Sequence, residues 1–282
     1  MYKIITDCGA DLPSWVQDEF DVEVLSFTVT SDGESKKSSE IPPKELMDAM
    51  RAGKSFKTSQ INVSEFAEAF LPYAKNNENV IYIAFSSGLS GTYNSACMAV
   101  EQLKEQYPDF DITVIDTKCA SVGHGLVVYK ALLMQKEGAT KEEVIAKVTE
   151  DSENMEHVFT VDDLEYLFRG GRVSRASAIL GGILGIKPIL EVDEEGRLKP
   201  ISKVRGRKIS IKRLAEAAGE RGYDLDKQLI GICHGDDLEA ANQLKQYMTD
   251  MYGCKDFFIN QIGATIGSHS GPGTLAVFFL SR

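Results

Sequence analysis

The segment VIYIAFSSGLSGTYNSACMAVEQLKEQYPDFDITVID, residues 80–116, contains two short apolar runs separated by a stretch with helical spacing. The runs VIYIAF (80–85) and ITVID (112–116) are typical of strands that are covered on both faces. Between them, four apolar residues fall on one face of a helix: Ala96, Ala99, Val100 and Leu103. The order of strand, helix and strand predicts a parallel pair and places the chain in the α/β class.

The same pattern continues on both sides of this segment. YKIIT (2–6) predicts a further strand, and helical spacing recurs over 64–76, 125–139 and 140–155. The last of these helices opens with a Thr-x-x-Glu capping box at Thr140 and Glu143. We therefore expect residues 1–155 to form an N-terminal domain built on a parallel sheet.

The pattern changes after about residue 155. KPILEVDEEGRLKPISKV (187–204) predicts a hairpin, because two alternating runs flank an acidic turn that ends in glycine. The remaining predicted elements are a basic helix (207–221), a strand (229–235), a helix (236–252) and two strands (257–262 and 275–281). This mixture predicts a second domain, 156–282, of the α+β type with antiparallel pairing, packed closely on the first.

Composition excludes several classes of function. The net charge is −11, from 42 acidic and 31 basic residues, so binding to nucleic acid or to an anionic lipid surface is unfavourable. The five cysteines are scattered without a C-x-x-C pair, which indicates reduced thiols, and neither a signal peptide nor an apolar run of membrane length is present. The four histidines have no metal-ligand spacing. We expect a cytoplasmic protein without a bound metal.

Two polar loops lead into predicted helices. One is FKTSQINVSEF (56–66), and the other, SSGLSGT (86–92), carries more hydroxyl groups than a turn requires. It ends a predicted strand and begins a helix, the position where open α/β sheets bind ligands and where free N–H groups favour an anion. The loop has no lysine and lacks the glycine spacing of the phosphate-binding loops. We therefore expect a single carboxylate, received by uncharged hydroxyls without a permanent positive charge.

Two other readings of these residues remain open. GLSGT (88–92) differs by one residue from the G-x-S-x-G turn of serine hydrolases, so one alternative is a serine acyl-hydrolase that uses Ser90 and His269. A binding module for a short polar carboxylate is the other alternative. The stretch ASAILGGILGIKPIL (176–190) is either a buried core helix or the wall of a tunnel for a chain-like ligand. SHSGPG (268–273) is expected to be a loop in which His269 completes an anion site.

Seven short motifs together resemble the DegV family, the fatty-acid-binding subunits of bacterial fatty acid kinase. They occur in the family's order and cover almost the whole chain: TDCGADLP, TSQ, SSGLSGTYNSA, LFRGGRVS, KPIL, KVRGRK and GSHSGPG. The resemblance implies two α/β domains with a long-chain fatty acid in a tunnel between them. It implies no other cofactor and no catalysis by this chain itself.

The resemblance also assigns residues to the fatty-acid head group. Thr58 of TSQ and Ser90 of GLSGT would hold the carboxylate, and His269 of the H-x-G-P-G stretch would lie at the same site. We expect Gly91, which follows Ser90, to belong to it as well.

A second set of residues would face a partner. The resemblance implies that Arg172 and Arg205 dock a separate ATP-dependent kinase subunit, which phosphorylates the bound carboxylate to an acyl phosphate. RGGRVSR (169–175) and KVRGRK (203–208) are basic islands in an acidic chain, as docking to an acidic face requires.

Overall fold

The computed structural model describes residues 2–174 and 185–281. Its strands are β1 (Tyr2–Asp7), β2 (Val22–Leu25), β3 (Thr28–Ser31), β4 (Glu34–Lys37), β5 (Lys57–Ser59), β6 (Asn79–Ala84), β7 (Ile112–Asp116), β8 (Met155–Thr160), β9 (Ile186–Val192), β10 (Leu198–Arg205), β11 (Leu229–His234), β12 (Asp256–Gln261) and β13 (Leu275–Leu280). Its helices are α1 (Ser14–Glu19), α2 (Pro43–Arg51), α3 (Val63–Asn76), α4 (Thr92–Gln106), α5 (Ser121–Lys136), α6 (Lys141–Asn154), α7 (Glu165–Arg169), α8 (Arg207–Arg221), α9 (Leu238–Tyr252) and α10 (Ala264–Ser270). Most of the predicted stretch 176–190 lies outside the described residues, which resume at 185.

The first sheet has the order β2-β1-β6-β7 and is parallel throughout, as the pattern around residues 80–116 predicts. Helices α3 and α4 cover one face, where Phe66 and Phe70 pack against Tyr82. Helices α5 and α6 cover the other face. The predicted capping box is present at Thr140 and Glu143. Covering both faces with helices buries β6 and most of β1, which explains their continuous apolar runs, whereas the edge strand β2 stays half-buried.

A three-stranded antiparallel sheet of order β4-β3-β5 was not predicted. The segment 56–66 was interpreted as a loop that leads into a helix, and this was wrong for residues 57–59, which form β5. Strand β5 pairs with β3 so that Val29 lies opposite Thr58. The strands are three or four residues long and largely polar. Such strands lack a periodic signal, and the pairing is specified by residues distant in sequence.

The second sheet has six strands in the order β10-β9-β8-β13-β11-β12, with antiparallel pairing except between β11 and β12. The predicted hairpin is present as β9 and β10. Helices α8 and α9 cover one face over a separate apolar cluster. Helix α5 packs on the other face, and it therefore lies between the two sheets. The division into domains at residue 155 stays a prediction.

The stretch SHSGPG was expected to be a loop, and this was wrong for its first residues. Helix α10 covers Ala264–Ser270 and contains His269 in its last turn. Serine, threonine and glycine are weak helix formers, so the sequence pattern favours a loop here. Tertiary contacts stabilise the helix instead, because Gly267 packs against the side chains of Leu46 and Met47.

The carboxyl group of Asp11 joins the two halves of the molecule. It accepts hydrogen bonds from Ser121 Oγ at 2.6 Å and from the backbone N–H of Gly263 at 2.8 Å. The Asp11 carbonyl accepts a third bond from Asn260 Nδ2 at 2.6 Å. Ser121 begins α5, whereas Asn260 and Gly263 belong to the second half. Burial raises the pKa of the Asp11 carboxyl group to about 7, and the nearby charge of Asp7 raises it as well.

This pKa predicts a pH dependence of stability. Between pH 4 and pH 7 the folded state holds the Asp11 proton more tightly than the unfolded state, whose pKa is near 3.8. Stability from this group therefore falls as pH rises from about 4 to about 7, by at most about 4 kcal/mol, and is constant above that range. Asp11→Asn does not titrate; its amide oxygen can accept from the Gly263 N–H, while its NH2 group donates to Ser121 Oγ, so that bond reverses direction. Urea unfolding at a series of pH values should show the wild type losing stability relative to Asp11→Asn over this window. A difference that is independent of pH would contradict the assignment.

Candidate functional site

An elongated cavity lies between the first half of the molecule and the face of the six-stranded sheet opposite α8 and α9. Its empty space is about 740 Å³, including the part open to solvent. The apolar side chains along it are Phe27, Phe85, Leu89, Phe159, Leu167, Val192, Leu198, Ile266 and Phe278. A mostly apolar cavity of this kind suits a ligand with a long hydrocarbon part.

Most of the polar side chains in the cavity wall are engaged with the protein. Ser121 donates to Asp11, Thr265 donates to Ser38, and Ser270 donates to the carbonyl of Ile266. Four others lie close together in the wall and have capacity left for a ligand: Thr58, Ser90, Arg172 and His269. Three of these four were predicted from the sequence as head-group residues.

Thr58 and His269 are in direct contact. Thr58 Oγ1 and His269 Nε2 share a hydrogen bond of 2.6 Å, whose donor depends on the ring tautomer. Thr58 is held by the pairing of β5 with β3, and His269 by the last turn of α10. The pair thus joins two elements, both of which had been read as loops.

Ser90 reaches the same cavity from the loop between β6 and α4. Its Oγ shares a hydrogen bond of 2.8 Å with Thr92 Oγ1, and it also accepts from the N–H of Thr92 at 3.3 Å. Thr92 is completely buried at the first turn of α4. Sequence reasoning did not single out Thr92, although it stands in the same SSGLSGT loop.

Gly91 is the N-cap of α4, and it is not among the described residues that line the cavity. A Cβ atom at this position would overlap Oε1 of Gln60. Gln60 Nε2 in turn donates to Ser95 Oγ at 2.8 Å. Gly91 therefore allows Gln60 to connect the Thr58 strand with α4. A direct contact of Gly91 with a carboxylate stays a prediction.

Arg172 lies at the cavity, so the expectation of a site without a permanent positive charge was wrong. Its guanidinium donates to the carbonyl of Leu89 at 3.1 Å and to the carbonyl of Gly170. The chain reverses direction after α7 because Gly171 adopts a left-handed conformation, with φ +74°. This turn directs Arg172 back toward the Ser90 loop. A docking role for Arg172 stays a prediction.

Arg205 lies apart from the cavity. It is the last residue of β10, and its side chain is exposed. The chain then enters α8, where Arg207 pairs with Asp237 at 2.6 Å. The two arginines that were predicted to face a partner therefore have different surroundings.

His269 is neutral at physiological pH. Burial and, to a smaller extent, the positive charge of Arg172 together lower the pKa of its imidazole to about 3. Its Nδ1 is buried and has no hydrogen-bond partner in the part of the chain that the structure describes. A neutral imidazole beside Arg172 leaves one net positive charge, which matches one carboxylate.

The arrangement gives no support to a serine hydrolase. A hydrolase serine donates its hydroxyl to the imidazole that deprotonates it. Here Ser90 is bonded to Thr92, while the ring nitrogen of His269 is bonded to Thr58. Among residues 2–174 and 185–281, no hydrogen bond joins Ser90 to His269.

Metal-binding clusters and membrane-spanning helices are both absent from the same ranges. No group of three or more His, Cys, Asp or Glu side chains among these residues is arranged to hold a metal ion. No helix among them has the length and apolar character needed to cross a membrane.

One protein-family model matches this chain over its whole length. The model of the DegV family, described as an uncharacterised protein family, matches residues 1–282. A DegV domain-containing protein of Clostridium perfringens, CPE0026, is 42% identical to this chain over 282 residues. The match covers 99% of this chain and 97% of the relative.

Solved structures have the same fold. One is a DegV family protein from Thermus thermophilus, whose structure was reported for its fatty-acid binding. It superposes on this chain with a TM-score of 0.87 at 29% sequence identity, and the match covers 98% of both chains. The fatty acid kinase B3 protein of Streptococcus pneumoniae, loaded with linoleic acid, gives a TM-score of 0.88 with 100% coverage of both chains. At 22% identity the second comparison shows the shared fold alone.

The close packing of His269 against Gly170 predicts how a methyl group added at residue 170 changes the pKa of the histidine. A Cβ atom at Gly170 would overlap His269 Nδ1, and the backbone of Gly170 (φ −71°) accommodates any residue. Gly170→Ala should displace the ring from Thr58 toward solvent, so its pKa should rise from about 3 toward 6.5. The pH titration of the ring protons by NMR measures this.

A second histidine, His157, serves as an internal control in the same titration. His157 is buried elsewhere in the cavity wall, with a pKa lowered by burial to about 4, and its titration should be the same in both proteins. An unchanged pKa of His269 in Gly170→Ala would mean that the ring is not held against Gly170.

Proposed function

Because this chain belongs to the DegV family over its whole length, we propose that it binds one long-chain fatty acid in the cavity between its two halves. The observation that carries the proposal is the distribution of polar groups. The polar lining residues with capacity left for a ligand, Thr58, Ser90, Arg172 and His269, are grouped together, whereas the rest of the lining is mainly apolar or has its polar groups bonded within the protein. A fatty acid has the same distribution, with one charged end and an apolar chain.

Chain burial supplies the affinity in this proposal. Burying about 15 methylene groups contributes roughly 12 kcal/mol, at about 0.8 kcal/mol each. The loss of translational and rotational freedom offsets a large part of this. Each hydrogen bond to the carboxylate adds only about 1.5–3 kcal/mol. The polar residues therefore determine where the carboxylate lies rather than whether the ligand binds.

Each head-group residue has a distinct part. Thr58 and Ser90 donate their hydroxyl hydrogens to the carboxylate oxygens. His269 holds the Thr58 hydroxyl, and its neutral state avoids placing a second charge beside Arg172. Arg172 offsets the negative charge from the cavity rim, where its own hydrogen bonds to Leu89 and Gly170 restrain it. Thr92 holds the Ser90 hydroxyl in place.

The second step of the proposal assigns the chemistry to a partner. The chain presents the carboxylate to a separate ATP-dependent kinase subunit. A carboxylate oxygen attacks the γ-phosphorus of ATP, the new O–P bond forms, and ADP leaves with the electrons of the broken bond. The product is an acyl phosphate that enters lipid metabolism. We place this carrier in the cytoplasm, where ATP is available and its free cysteines stay reduced.

Binding is tested by mass spectrometry and by two variants. The protein purified from a bacterial host should carry one extractable fatty acid per chain. Thr58→Ala and Ser90→Ala should each weaken binding of added palmitate about tenfold to a hundredfold, because each removes a hydrogen bond to a carboxylate.

Ser87→Ala is the matched control. Ser87 lies in the same loop, but its hydroxyl donates to Asp116 at 2.5 Å and it is not among the described lining residues. Its palmitate affinity should equal that of the wild type. A wild-type protein that is purified without a ligand and takes up no added fatty acid would refute the proposal.

Docking to a kinase is tested at Arg205, which is exposed and distant from the lining residues. Arg205→Glu should slow acyl-phosphate formation with a bacterial fatty acid kinase subunit and ATP at least severalfold, because it reverses a charge that steers association. Palmitate affinity should not change. Lys255→Glu is a control, because Lys255 is also exposed but lies between α9 and β12, outside the basic island. Equal phosphorylation rates for the two variants would contradict docking through Arg205.

A further inference from the structure

Four side chains form one row across the face of the six-stranded sheet that lines the cavity. Leu198 of β10 lies opposite Val192 of β9, and His157 of β8 lies opposite Phe278 of β13. The β8–β9 register, which pairs Val158 with Glu191, brings Val192 beside His157 when it is continued by one residue. All four side chains line the cavity.

The row is separated from His269 by part of β13. Thr274 precedes β13 and donates to the carbonyl of Ser270, the residue after His269. Along β13 the next lining residues are Ala276 and then Phe278. Four residues of strand span about 14 Å. A ligand whose carboxylate lies at His269 would therefore extend its chain along β13 toward the row of four.

A second depression lies directly behind the row. It is an open cleft whose wall includes both His157 and Val192, so these two side chains separate it from the cavity. The other side of the cleft is strongly acidic, with Asp116, Glu153, Glu156, Asp193 and Glu194. If an acyl chain extended past the row, its terminal methyl group would enter water beside these carboxylates.

Hydrogen bonds to neighbouring segments hold this row of side chains in place. The turn between β9 and β10 is tied to the first half of the molecule, because Ser86 Oγ donates to the carbonyl of Gly196 at 2.7 Å and Lys118 Nζ donates to the carbonyl of Glu194 at 3.0 Å. His157 is fixed through both ring nitrogens, by the carbonyl of Met155 and the N–H of Ala120. These contacts leave Val192 little freedom to move aside.

We propose that Val192, together with His157, forms an end wall that sets the longest straight acyl chain this protein holds. The inference rests on the proposed fatty-acid binding and adds the feature that selects among fatty acids. Each methylene buried before the wall raises affinity about fourfold. A methylene beyond the wall gains no burial, so affinity stops rising at the length that reaches Val192.

The test is a competition among straight-chain saturated acids. Wild type, Val192→Ala and Val192→Phe are loaded from an equimolar series that runs from laurate to behenate, and the bound acids are extracted and counted by mass spectrometry. Val192→Ala opens the wall, so the ratio of the next longer even-numbered acid to the wild-type favourite should rise about tenfold. Val192→Phe fills the end of the cavity and should shift the distribution to shorter acids.

Val158→Ala is the matched control. Val158 is the neighbouring residue on β8, completely buried on the opposite face of the same sheet. The substitution removes the same two methyl groups and lowers stability without touching the cavity, so the distribution of bound acids should match the wild type.

The outcomes separate this inference from the proposed function. A wild type that binds none of the acids refutes fatty-acid binding and the end wall with it. A wild type that binds them, with unchanged distributions in both Val192 variants, refutes the end wall and leaves fatty-acid binding in place. If Val192→Ala does not fold, Val192→Phe decides alone, through the presence or absence of the shift to shorter acids.

Discussion

The buried carboxyl group of Asp11 joins the two halves of the molecule, and the cavity lies between the halves that it joins. Asp11 connects the first turn of α5 to the end of β12, so helix α5 is held between the sheets at its N-terminal end. The cavity lies next to this contact, because Ser121, which donates to Asp11, is also part of the cavity wall. Burying a carboxyl group is costly unless its oxygens are hydrogen-bonded, which the Ser121 and Gly263 contacts provide.

The cavity separates two physical tasks. Its apolar wall supplies free energy in proportion to the chain length that it buries, and this term has no direction. The cluster of Thr58, Ser90, Arg172 and His269 supplies direction, because hydrogen bonds and a single positive charge define one position for a carboxylate. The neutral state of the His269 imidazole keeps the positive charge of this cluster at one. Protonated His269 beside Arg172 would place two cations at the cavity, and burial prevents this by lowering the histidine pKa to about 3.

Local patterns predicted the parallel sheet, the hairpin and α8, because each of these is encoded by apolar periodicity within a few tens of residues. The density of hydroxyls after β6 indicated the SSGLSGT loop as a ligand site, and the family resemblance assigned Ser90 within it. It did not find β5, since a strand of three residues is stabilised by pairing with Thr28–Thr30 rather than by its own composition. It also missed α10, whose glycines and serines are helical only because Leu46, Met47 and α7 pack against them.

By itself, the sequence determined the α/β class, the order of most elements and the residue types of the candidate head-group site. The tertiary structure alone decided that Thr58 contacts His269 across 211 positions, that Arg172 turns back to the cavity, and that Val192 shares a row with His157. The physical reason is that periodicity reports which face of an element is buried. It does not report which distant element covers that face, and the cavity is formed entirely by such distant contacts.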